Sequence, residues 1–147
     1  MNQSSIIALR EKHEKFFKSH KNESVKVRIQ FLKKLKKELL AREDNIYEAL
    51  YNDLKKPIFE AYTSEFLMVQ KEIEIFIKYL KDWSAPRRVS GSLINFPSQD
   101  FLLSEPYGTV LMISPWNYPF QLFINPLVIG PTTTTKSNLK RHIAPTS

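Results

Sequence analysis

From Tyr62 to Trp83 the apolar positions Tyr62, Phe66, Val69, Ile73, Phe76, Leu80 and Trp83 alternate spacings of four and three. That period keeps them on one side of an α-helix. Glu65, Glu72 and Glu74, interleaved with Lys71 and Lys78, read as the solvated back of this helix and not as a catalytic carboxylate pair. The same period could serve a coiled-coil seam, but aromatics at Tyr62, Phe66, Phe76 and Trp83 are bulky for a two-stranded one. The pattern therefore predicts a long helix lying across a domain.

Three helices are predicted before it. Ile6, Leu9, His13, Phe16 and Phe17 share one side of a helix from Ser4 to about Ser19. Ser24 is placed to cap a second, whose stripe is Val25, Ile29, Leu32, Leu35 and Leu39. Ile46, Ala49 and Leu50 mark a third from about Asn45 to Leu54, broken by Lys55-Lys56-Pro57. Beyond Pro86, Gly91 and Pro97 mark a change to extended chain, with Leu93-Ile94 and Phe101-Leu102-Leu103 as strand cores. An unpaired edge there would invite association.

The period changes again at Val110–Ile113, an apolar, β-branched run entered through Gly108 and halted by Pro115, with the length of a buried strand. Pro119 can open a helix, because the first helical position needs no N–H. A strand, a tight turn and a helix start form the place where open α/β sheets put ligands. Trp116 and Asn117 sit in that turn. An asparagine side chain carries two donors and an acceptor, and flanking prolines limit its movement. Two readings stay open: Asn117 closes its own turn through an Asx hydrogen bond, or it donates to an oxygen that gains charge in a transition state. Trp116 reads equally as core with its N–H paired.

At these residues the sequence resembles the aldehyde dehydrogenases, and within them the class 3 branch. Glu105-Pro106-Tyr107-Gly108-Thr109-Val110 with Ile113-Ser114-Pro115-Trp116-Asn117-Tyr118-Pro119 is similar to the family's strand and catalytic-asparagine loop, and Asn125-Pro126-Leu127-Val128 to the helix after it. Asp53-Leu54-Lys55-Lys56-Pro57 with Glu60, Tyr62 and Glu65 resembles the class 3 amino-terminal region. The resemblance implies an enzyme whose cysteine thiolate attacks an aldehyde, which passes hydride to NAD or NADP, and whose thioester is hydrolysed by water. It implies Asn117 as oxyanion donor, Ile113, Ser114, Pro115 and Trp116 as the nicotinamide and ribose wall, and Lys140 as the residue holding the adenosine ribose. It also implies an aldehyde substrate, a homo-oligomer, and arm strands reaching a second subunit.

The fold implied is α/β but partial: helices over 1–85, arm strands over 86–105, and over 106–147 the first strand-turn-helix of a Rossmann-like cofactor domain. After Val128 the resemblance fades through Ile129-Gly130-Pro131 and four threonines, although Leu139-Lys140 returns at the family spacing. A compensated change of reading frame over Ile129–Asn138 would leave that pattern. Proline and β-branched threonines are poor helix residues, so a short helix and an irregular or mobile tail are expected there.

Composition narrows the function. The 147 residues contain no cysteine, which excludes a disulfide framework and a thiolate metal site. It also removes the family's nucleophile, so the chain is expected to be inactive by itself. Lys+Arg 22 against Asp+Glu 15 gives a formal charge of +7. Lys33, Lys34, Lys36 and Lys37 lie between Leu32, Leu35 and Leu39, which is a solvated helix face and not a nucleic-acid patch. His13, His20 and His142 have no partners at metal-ligand spacing, so no metal site is assigned. No run approaches a membrane span, Met1 to Arg10 lacks a signal-peptide pattern, and a cytoplasmic location is expected. The competing reading is a non-catalytic helical interaction module that pairs through the Tyr62 to Trp83 stripe or the arm strands.

Overall fold

The computed structural model describes residues 3–19, 24–90, 98–105, 110, 112–132 and 136–143. Helices α1 (Gln3–Lys18), α2 (Val25–Ala41) and α3 (Glu43–Leu54) form where the apolar spacing places them. The start of α3 lies two residues before the predicted Asn45, because Glu43 and Asp44 bring negative charge to the first turn, where the helix dipole favours it. Ser24 stands at the N-cap of α2 but its hydroxyl makes no capping bond. Its carbonyl, accepting from Arg28 N–H at 3.1 Å, does the closing.

The helix predicted from Tyr62 begins earlier, directly after Pro57. It runs through α4 (Ile58–Ala61), a π-helical turn (Tyr62–Phe66) and α5 (Leu67–Trp83). Phe66, Val69, Ile73, Phe76 and Leu80 are buried, as the spacing requires, while Tyr62 and Trp83 at the two ends stay largely exposed. Leu32 from α2 and Val128 from α6 (Pro119–Thr132) close over Val69, Ile73, Phe76 and Leu80 as one apolar cluster. Tyr47, Leu50, Ala61 and Phe66 form a second, with Phe120 packed against both. There the Tyr47 and Phe66 rings meet edge to face at 5.6 Å, and Phe66 and Phe120 stack at 6.0 Å. The start of α6 is thus seated between the two cores.

The extended region forms a three-stranded antiparallel sheet in the order β1-β2-β3: β1 (Arg87–Val89), β2 (Ser98–Glu105) and β3 (Lys136–Ile143). The predicted core Phe101-Leu102-Leu103 lies in β2, while Leu93-Ile94 falls outside the described residues. Two expectations for the carboxyl-terminal stretch are corrected. Helix α6 continues through Gly130 and Pro131 to Thr132, since a proline in the final turns removes one donor and leaves the rest of the ladder intact. In place of an irregular tail, β3 pairs with β2 from Ser98↔Ile143 to Glu105↔Lys136. The second edge of β2 would otherwise leave its N–H and C=O groups unpaired.

The predicted strand at Val110–Ile113 is the remaining difference. Val110, Met112 and Ile113 belong to no strand, and Leu111 lies outside the described residues. A parallel strand needs a neighbour brought by a crossover, and no described segment lies in register beside this one. The side chains of Val110, Met112 and Ile113 are left in water, Ile113 at 89% exposure.

Candidate functional site

The loop from Met112 to Tyr118 ends where α6 begins. Tyr118 is the last residue before the helix, its carbonyl accepting from Leu122 N–H at 2.9 Å to close the first turn. Pro119 follows with its preset φ and no donor to waste. The structure places Ile113, Ser114, Pro115, Trp116 and Asn117 consecutively on this loop, all exposed except Ser114, which is half-buried. Trp116 is 90% exposed, which discards the reading of it as core. Ser114 Oγ donates to the Pro115 carbonyl at 3.4 Å. Among the described residues nothing hydrogen-bonds the Asn117 carboxamide, so it is not consumed in closing its own turn. Lys140 lies in β3, its backbone opposite Phe101 of β2.

Two charged residues from other parts of the chain hold this loop. Glu65, read as part of the solvated back of the long helix, is 0% exposed. Its Oε2 accepts from the backbone N–H of Phe120 at 2.9 Å and of Gln121 at 3.2 Å, the first free donors of α6. Its Oε1 accepts from Lys56 Nζ at 2.5 Å, and the same ammonium lies 4.4 Å from the Tyr118 ring centroid. A carboxylate against a helix N-terminus is favoured by both the orphan donors and the dipole. The cation–π contact adds a second tie at the residue next to Asn117.

Both partners reach these places through irregular backbone. Lys55 ends α3 in the left-handed region, at φ 54 and ψ 28, an uncommon conformation for a residue with a Cβ. Glu65 lies in the π-turn, whose wider coil lets the successive residues Glu65 and Phe66 both face inward. A signal for Glu65 was present in the sequence: it stands four residues before Val69 and eight before Ile73, so helical spacing alone puts it on the buried stripe. Nothing comparable marks Lys56.

An apolar hollow of about 530 Å³ opens between Asp44, Tyr47, Glu48, Tyr51, Pro57 and Ile58, and none of the predicted site residues lines it. Burial, with help from the hydrogen bond it donates to Glu43 at 2.5 Å, pushes the Tyr47 phenol above its ordinary pKa. Among the described residues no group of three or more His, Cys, Asp or Glu side chains could hold a metal ion.

Comparison with known proteins gives one consistent likeness. The sequence model of the aldehyde dehydrogenase family matches residues 1–136. The chain is 43% identical over 113 residues to 4,4'-diaponeurosporen-aldehyde dehydrogenase of Staphylococcus aureus, which covers 77% of this chain and 25% of that protein. It is 40% identical over 112 residues to aldehyde dehydrogenase family 3 member I1, chloroplastic, of Arabidopsis thaliana, covering 76% of this chain and 20% of that protein. A solved structure, the substrate-bound state of Staphylococcus aureus AldH, superposes with a TM-score of 0.83 at 38% identity, over 92% of this chain and 29% of that one. The chain spans about a quarter of the length of these relatives.

Proposed function

The chain belongs to the aldehyde dehydrogenase family, and we propose that it forms the amino-terminal portion of an NAD(P)-dependent enzyme that oxidises aldehydes to carboxylic acids, with Asn117 as its side-chain oxyanion donor. The observation that carries this reading is the state of the Asn117 carboxamide: exposed, without a hydrogen bond among the described residues, and bounded by Pro115 and Pro119 at the head of a capped helix. Its Nδ2–H can meet an aldehyde oxygen that becomes an alkoxide when the carbonyl carbon is attacked. A preorganised donor of this kind lowers such a barrier by about 3 to 4 kcal/mol. With no cysteine among its 147 residues, the chain has no thiolate for that attack, and by itself it is inactive.

The residues before Asn117 fit one side of a nicotinamide nucleotide. Ile113, Pro115 and Trp116 offer exposed apolar surface to a flat ring, and the Ser114 hydroxyl offers a polar contact to a ribose. A bound nicotinamide would supply the hydride acceptor, and these residues would fix its face relative to Asn117. Lys140, on β3, belongs to the same proposal as the residue for the adenosine ribose. A cofactor domain beginning near residue 106, assembly as a homo-oligomer and a cytoplasmic location belong to the same proposal. No helix among the described residues is long and apolar enough to cross a membrane.

The interaction-module reading loses its first surface. Phe66, Val69, Ile73, Phe76 and Leu80 are already covered within the chain, and β2 is paired on both sides by β1 and β3.

Two measurements test the proposal. In a Trp83→Phe background, NADH should quench the emission of Trp116; a flat titration removes the cofactor wall. In a full-length enzyme that carries this portion, Asn117→Ala should lower kcat by roughly a hundred- to a thousandfold with cofactor KM unchanged, and preserved turnover removes the oxyanion role.

A further inference from the structure

Resting on the proposed role of Asn117, we propose that Lys56 and Glu65 are its positioning residues, a buried pair that fixes the direction of the carboxamide through the first turn of α6. The geometry is specific to that task. Helix caps are ordinarily local, an N-cap side chain reaching the amides two or three residues on. Here the N-cap position is occupied by Tyr118, and the capping carboxylate comes from Glu65, 55 residues away from Phe120. One oxygen takes both Phe120 and Gln121 N–H groups, which fixes the rotation of the helix start about its axis. The other oxygen takes Lys56, whose ammonium also covers the Tyr118 ring. Asn117 is therefore held one residue from a clamped ring and three residues from a clamped amide.

Stability alone does not account for such a pair. Taking a lysine and a glutamate out of water costs about what their attraction returns, and apolar replacements of similar volume are often neutral or better. The same region also carries a non-glycine residue in the left-handed conformation at Lys55 and a π-turn around Glu65, features that cost energy locally and persist where the surroundings impose them. What these devices provide together is orientation: Lys56 and Glu65 arrive from either side of Pro57 at one point, beneath the residue that follows Asn117. Oxyanion donors act through placement, so a buried anchor under the loop belongs to the working geometry.

The test uses the isotopically labelled chain itself. In Glu65→Leu/Lys56→Met the apolar pair should keep a cooperative melt and the far-ultraviolet spectrum. Amide exchange at Phe120 and Gln121 should accelerate roughly ten- to a hundredfold, the loss of charge-assisted hydrogen bonds. The heteronuclear NOE of the Asn117 side-chain NH2 should fall with it. An Asn117 NOE unchanged in this variant overturns the proposal. Should the double variant fail to fold, Glu65→Asp retains the charge beside Lys56 while withdrawing the carboxylate by one methylene. The same fall in Asn117 order is expected there, and unaltered order again overturns the proposal. In a full-length enzyme carrying either variant, kcat should drop while cofactor KM stays put, a split that general destabilisation would not produce. These readouts separate the two claims. A loosened loop with Asn117→Ala still active removes only the oxyanion role, and a rigid loop removes only the positioning pair.

Discussion

The seam beneath α5 excludes water from Val69, Ile73 and Leu80, whereas the loop from Met112 to Tyr118 stands almost wholly in it, with Ile113 and Trp116 near full exposure. Only a few side chains separate the two regions, since Phe120 at the head of α6 packs against the core residues directly. Their means of support differ in kind. The seam is apolar and non-directional, so its stability follows from area and packing. Among the described residues the loop has no apolar cover of its own, and it is tied at its base by a carboxylate, an ammonium and two backbone amides. Shape-filling suits a body that must only persist, while directional bonds suit a side chain that has to point somewhere.

Truncations in the two regions should separate this difference clearly. Phe66 stacks on Phe120 and meets Tyr47 edge to face; Phe66→Ala should cost about 3 to 5 kcal/mol in denaturant unfolding. A smaller loss would mean that the second cluster collapses around the missing ring. Leu32, fully buried between α5 and α6, should cost about 2 to 5 kcal/mol as Leu32→Ala.

Next in size comes an alkaline effect confined to the body. Burial raises the Tyr47 phenol, so the folded chain holds that proton more tightly than the unfolded chain does. Stability is then fully present below the ordinary tyrosine pKa of about 10 and declines as pH rises above it. Thermal melts of Tyr47→Phe should lack that decline, and an equal slope in both proteins would put its origin elsewhere.

At the exposed end, Trp116→Ala should change unfolding free energy by less than about 0.5 kcal/mol, although it removes a large aromatic. A loss comparable to that of Phe66→Ala would make the loop part of the core and erase the contrast. Smallest of all is the surface pair on α2: Arg42 bonds the exposed Glu38 and holds its carboxyl below the ordinary value. That contribution is present above the ordinary carboxyl range and fades as pH falls, but an exposed pair contributes so little that Glu38→Gln should be silent even at neutral pH within the error of a melt.

How far each feature could be read from the residues follows the range of the forces behind it. The α2 and α5 stripes and the break at Lys55-Lys56-Pro57 were legible because helix period and backbone breakers act within a few residues. So was the turn between Pro115 and Pro119. Glu65 was misassigned because charge argues for solvent on average, and it takes a lysine delivered by a left-handed turn together with two amides of α6 to make its burial tolerable. Val110–Ile113 has the composition of a strand, but a strand exists only where a neighbour completes its hydrogen bonds. The stretch around Leu139-Lys140 gained such a neighbour in β2, with Leu139 opposite Leu102.

The order of residues by itself determined most of the helices, the proline-bounded loop and the family, because each depends on local spacing or on a contiguous motif. Tertiary structure alone decided which partners a buried carboxylate meets, what caps α6, and which extended segments become strands. Those outcomes turn on groups far apart in the chain meeting in a low-dielectric interior, where an unpaired charge or an open backbone amide is costly until its partner arrives.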